Sequence, residues 1–95
     1  MENSAKLPLG ITPLKKYFEG RGEVKGYLFS QISKTDKAFI YEVSSGNTKH
    51  YEVFKRILNK RFACESYPTS KAFGIWAWTH MTIEAAIKKF DELNK

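Results

Sequence analysis

The chain has 95 residues, a mass of 11.0 kDa and a formal net charge of +6, which is room for one domain with a basic surface. With 42% hydrophobic and 15% aromatic residues it holds enough apolar surface to fold, which excludes disorder throughout. A single cysteine, Cys64, excludes a disulfide scaffold, and no apolar run approaches the ~20 residues of a membrane-spanning helix.

Residues 1–11 are expected to be a flexible tail; Leu7 to Leu14, broken by Pro8 and Pro13, does not read as a signal peptide, so a soluble cytoplasmic domain is expected. Thr12 as a cap, Pro13 at the first turn and Gly20 as a stop predict a short helix, with Leu14, Tyr17 and Phe18 on one stripe. A strand is predicted over 23–33, a polar turn at Lys34-Thr35-Asp36-Lys37, and strands over 37–44 and 48–58 around Ser44-Ser45-Gly46-Asn47. The repeated triplets Tyr41-Glu42-Val43 and Tyr51-Glu52-Val53 suggest that Tyr41 pairs with Tyr51, Phe39 with Val53 and Val43 with Lys49. A long connection over 59–72 carries Phe62, Cys64, Tyr67 and Pro68 and is expected to wrap the body. A fourth strand is predicted over 73–79. Thr82 then caps a helix from Ile83 to Leu93 whose buried stripe is Ile83, Ala86, Ile87, Phe90 and Leu93. The expected fold is α+β, a single domain over 12–95. It comprises a short N-terminal helix and an antiparallel sheet of about four strands, with the C-terminal helix packed on one face.

Enzymatic constellations are sparse. His50, His80 and Cys64 fall on three different elements without ligand-like spacing, so no metal is expected, and nothing around Cys64 matches a nucleophile motif. Gly20, Gly22 and Gly26 follow a predicted helix and lead into a strand, the reverse of a phosphate-binding loop. Neither catalysis nor a cofactor is expected.

The charge points elsewhere. Residues 49–72 hold Lys49, Lys55, Arg56, Lys60, Arg61 and Lys71 against only Glu52 and Glu65, whereas 23–48 and 73–95 are balanced. A surplus confined to one stretch makes a local positive field that suits phosphate. Trp76 and Trp78 have the same parity, so on a strand they share one side, either in the core under the helix or as an outer platform. The run Trp76-Ala77-Trp78-Thr79-His80-Met81-Thr82-Ile83-Glu84-Ala85-Ala86 resembles the strand-to-helix passage of AP2-type DNA-binding domains, where a Trp strand ends in Thr before a Thr-x-Glu-x-Ala helix start. Trp78 stands where that family has a glycine, and its arginine-rich first strand is absent, so its base contacts do not carry over. The hairpin-then-helix order also looks like WGR modules, although Val53-Phe54-Lys55-Arg56-Ile57 lacks their signature. Both comparisons lead toward nucleic acid, and neither assigns the chain to a family.

The function expected from sequence is therefore a non-enzymatic module binding DNA or RNA. Lys55, Arg56, Lys60 and Arg61 would hold phosphates, Lys49 and Lys71 would lie at the rim, and Trp76 and Trp78 would stack. The alternative is a protein-interaction or homodimerisation module using a sheet face or edge.

Overall fold

A computed structural model of the protein describes residues 10–95, so the tail expected over 1–11 lies outside the described residues except at Gly10 and Ile11. Strands β1 (Tyr17–Glu19), β2 (Leu28–Lys34), β3 (Ala38–Ser45) and β4 (Thr48–Lys55) follow one another. A small hairpin, β5 (Leu58–Asn59) and β6 (Cys64–Glu65), precedes β7 (Ala77–His80) and helix α1 (Ile83–Leu93). The main sheet runs β1-β2-β3-β4-β7 with every neighbouring pair antiparallel. The α+β class holds, with five strands in place of about four among the described residues.

Turn chemistry sets the register of the central hairpin, one residue away from that suggested by the triplets. Ser45 pairs with Thr48, leaving Gly46-Asn47 as a two-residue turn. Gly46 has φ +58° at the first turn position, where such tight hairpins take glycine. Tyr41 therefore faces Glu52, not Tyr51, while Phe39 faces Phe54 and Ile40 faces Val53. This shift changes which β4 side chains share a face with which of β3. It collects the rings of Phe39, Tyr41 and Phe54 on one side, with centroids 5.1 to 6.0 Å apart.

The sheet buries both faces. On the first, Phe29, Phe39, Tyr41, Val43, Phe54 and Ala77 form a core covered by the chain before β1 and by the stretch between β4 and β7. Tyr67 is its hub, with ring centroids 4.9 to 5.5 Å from those of Phe18, Phe29, Tyr41 and Phe54. The connection does wrap the body, as its aromatic content suggests. On the second face, Ala38, Ile40 and Val53 lie under Ala86 and Phe90 of α1. At roughly 1.5–3 kcal/mol for each large apolar side chain removed from water, these two layers fix the sheet between them.

Helix α1 follows its local signals, and Thr82 Oγ1 accepts a hydrogen bond from the Ala85 N–H at 3.2 Å. The expected stripe is narrower than predicted. Ala86 and Phe90 are buried, but Ile87 is 45% exposed, because α1 packs against β3, β4 and β7 and Ile87 projects beyond that contact.

The expected helix over 12–20 is absent. Phe18 pairs with Phe29 in β1–β2 and their rings stack at 4.7 Å, while Thr12 bridges to Cys64 of β6. A helix of one or two turns gains little from its own hydrogen bonds, so pairing with strands already in place wins. Gly20 belongs to this segment's close packing. A Cβ there would lie 2.2 Å from the Val24 carbonyl oxygen and 2.7 Å from its Cγ2, so only glycine lets the 3-10 turn Gly22–Val24 fold back onto it.

Candidate functional site

The basic residues singled out by sequence do not form one surface. Arg56 is internal. Its Nε donates to Glu65 Oε2 at 2.6 Å, and its backbone N–H donates to Lys37 O at 2.7 Å. Lys49 is exposed but lies 3.5 Å from Glu42 on the helix side of the sheet. Lys55 ends β4 opposite Ala38, and Lys60 and Arg61 occupy the exposed tip of the β5–β6 hairpin. The Arg61 guanidinium sits 5.3 Å from the Phe62 ring. Lys71 is exposed in the 3-10 turn Ser70–Ala72.

The two tryptophans do not share a side. The strand begins only at Ala77, and the Trp76 N–H instead bonds to Ala72 O at 2.9 Å, so alternation does not reach back to Trp76. Trp76 is half-buried against Phe54 in the first core. Trp78 pairs with Val53 on the helix side, half-buried beneath Lys89 Nζ at 4.0 Å from its ring centroid. Neither is an open platform.

What the fold does assemble is a cleft of about 1330 Å3 on the first face. One wall is the segment Leu14 to Lys25, including Lys15, Arg21 and Lys25; the other is Tyr67 to Ser70 with Phe73. Phe29, Glu52 and Thr79 contribute further lining. Lys15, Arg21 and Lys25 are exposed, and Lys71 adjoins the lining residue Ser70. None of these four is paired with an acid among the described residues. Basic side chains and rings thus meet in one concavity. Sequence reading singled out Lys71 but passed over Lys15, Arg21 and Lys25, because their stretch is only mildly basic; the available signal was Gly20-Arg21-Gly22 followed by Lys25-Gly26, basic residues set among glycines.

Glu52 is the acid in this cleft that the fold holds in place. The Tyr67 O–H donates to its Oε1 at 2.6 Å, and His50 Nε2 lies 3.1 Å from its Oε2. Its side chain is only 14% exposed. Burial pushes the Tyr67 phenol far above its ordinary value, and the charge of Glu52 and the hydrogen bond to it act in the same direction. Tyr67 therefore stays a donor, and Glu52 is held by groups on both of its oxygens.

A second acid, Glu65, secures the wall. Its side chain is fully enclosed and accepts from Arg56, from Lys34 Nζ at 3.2 Å and from the Leu14 N–H at 2.9 Å. Burial alone would raise its pKa; the bonds from Arg56, Leu14 and Lys34, with the charge of Lys34, outweigh it and hold the carboxyl below its usual range. This anchors the chain entering the cleft at Leu14.

Cys64 is half-buried in β6, and His80 Nε2 is buried without a hydrogen-bond partner among the described residues. No three His, Cys, Asp or Glu side chains among those residues group closely enough to hold a metal ion. No helix among them is long and apolar enough to cross a membrane. No protein-family model, curated protein or solved structure matches the chain.

Proposed function

We propose that this chain is a non-enzymatic nucleic-acid-binding module that takes a single strand into the cleft. The observation that carries this reading is the coincidence, in one concavity, of basic side chains on the rim that pair with no acid among the described residues and aromatic rings within. Proteins that bind single strands combine a positive groove along the backbone with rings on which bases stack. Lys15, Arg21, Lys25 and Lys71 would hold phosphates, Arg21 by its fork and the lysines as point charges. Phe73 would offer a stacking face: it is half-buried on the cleft wall and pairs with no other ring among the described residues. Lys60 and Arg61 at the hairpin tip would attract a strand at longer range, while Lys55 lies toward the helix side of the sheet and Arg56 stays with Glu65.

Salt dependence tests this. Four phosphate contacts on a single strand give a slope of log affinity against log salt near −2.8, so affinity falls on the order of 50-fold between about 50 and about 200 mM salt. Arg21→Ala with Lys25→Ala should flatten the slope by about 1.4. Lys60→Ala with Arg61→Ala removes equal charge from the hairpin tip and should do less than half of that. Equal effects of the two pairs would mean diffuse attraction and overturn the cleft as the site.

A second reading, a protein-interaction surface, rests on a different observation. Helix α1 covers β3, β4 and β7, and beside it Tyr17 and Leu28 of β1 and β2 stay exposed. Self-association through this face would appear as mass rising with concentration, abolished by Leu28→Asp and resistant to salt.

A further inference from the structure

The cleft holds an acceptor that phosphate binding does not use. Glu52 lies on β4, paired with β3 on one side and β7 on the other, so its backbone is fixed from both sides. Tyr67 and His50 each occupy one of its oxygens. An ionised carboxylate has about four lone-pair sites, so each oxygen keeps one for a ligand. Glu52 is thus a largely buried carboxylate that lines the cleft together with aromatic rings, behind a basic rim.

Two adjacent acceptors are matched by two adjacent donors. On their Watson–Crick edges, adenine and cytosine each present one amine beside a ring nitrogen that would repel the carboxylate. Thymine and uracil present one imino N–H between two carbonyl oxygens. Guanine alone sets N1–H and N2–H side by side. We propose that the cleft is selective for an unpaired guanine, whose Watson–Crick edge donates N1–H and N2–H to the two oxygens of Glu52. This rests on the cleft being a nucleic-acid site and adds the base that it reads. Flanking phosphates fall to Arg21 and Lys25, and Phe73 lies beside the base plane. A base held this way must be unpaired, because the same edge is used in a duplex.

The test uses the whole chain and fluorescence anisotropy of labelled strands of about ten nucleotides. One is all thymidine; the others carry a single central guanosine, inosine or adenosine. The guanosine strand should bind about tenfold more tightly than the all-thymidine strand, the usual scale for a good bidentate base contact. Inosine lacks the N2 amine and should lose most of that gain, as should adenosine. Glu52→Gln keeps an oxygen for the Tyr67 O–H but turns an NH2 toward guanine's donors, and should bring the guanosine strand to within about twofold of the adenosine strand. Equal affinity of the natural chain for guanosine and thymidine strands overturns the base reading and leaves the binding module standing. Failure to bind any strand overturns both. The inosine comparison needs no variant, so it decides the matter even if Glu52→Gln does not fold.

Discussion

Arg56 and Glu65 form the tightest ion pair among the described residues, with Nε 2.6 Å from Oε2 and the Glu65 side chain fully enclosed. The pair joins the end of β4 to β6. Through the Leu14 N–H and Lys34, the same carboxylate reaches the segment before β1 and the end of β2. Removing one member of such a pair strands the other. Arg56→Leu should therefore cost about 3 kcal/mol, read as a fall in the denaturation midpoint, whereas an arginine serving only a phosphate would leave stability unchanged.

The same acid gives the protein an acid limit. Because its folded pKa is lowered, Glu65 contributes fully above the unfolded value, about 4.3, and its contribution is lost as pH falls through the folded value. Denaturation midpoints measured from neutral pH down to about pH 3 should fall, and Glu65→Gln should remove part of that slope while lowering stability at neutral pH. A variant with the natural chain's acid slope would show that other carboxylates set it.

An alkaline limit follows from the phenols. Burial pushes Tyr41 up to about 12; the Gln31 hydrogen bond works against this and the charge of Glu65 with it. Tyr67 shifts in the same direction. Both contribute stability that is complete below the unfolded value near 10 and is lost as pH rises through the folded one. Ultraviolet titration of the folded chain at about pH 11 should leave these two phenols protonated, with their phenolate absorbance appearing on addition of denaturant.

Phe90 and Ile87 should separate cleanly. Phe90→Ala empties a site between α1 and the sheet and should cost about 3–5 kcal/mol, enough to unfold much of a small domain. Ile87→Ala, on the open flank of the helix, should move the midpoint by about 0.5 kcal/mol or less. Equal losses would place the helix on a different face of itself.

Gly20→Ala should cost about 1–3 kcal/mol, because its methyl must displace the Val24 carbonyl and with it the turn Gly22–Val24. As that turn walls the cleft, strand affinity should fall too, beyond what Arg21→Ala alone explains. A melting curve unchanged from the natural chain would show that the turn gives way freely.

Where local chemistry decides structure, the sequence is readable. Thr82, the acidic first turn and the apolar spacing of α1 are contained within a dozen residues, and the helix forms over the predicted span. The hairpin was visible as well, but its register was not: the repeated Tyr-Glu-Val triplet suggests one pairing and the two-residue turn imposes another. Tyr17 and Phe18 fit a helical stripe and a strand equally well, and only pairing with Ser30 and Phe29 of β2 decides between them. Arg56 looks like its basic neighbours until Glu65 is brought to it. The cleft was least legible of all, since its walls come from the segments around residues 14–25 and 67–73 and no periodicity links them.

The stretch between β6 and β7 has the look of a surface loop, with Pro68, Gly74 and little regular structure, yet Pro68 and Ala72 are buried and Tyr67 sits among four rings. For anyone building on this scaffold, that inverts the usual choice of splice point. A fluorescent tag or new chain ends placed there would remove one side of the core, whereas Gly46-Asn47, short as it is, projects into solvent between two strands and is the better place to open the chain.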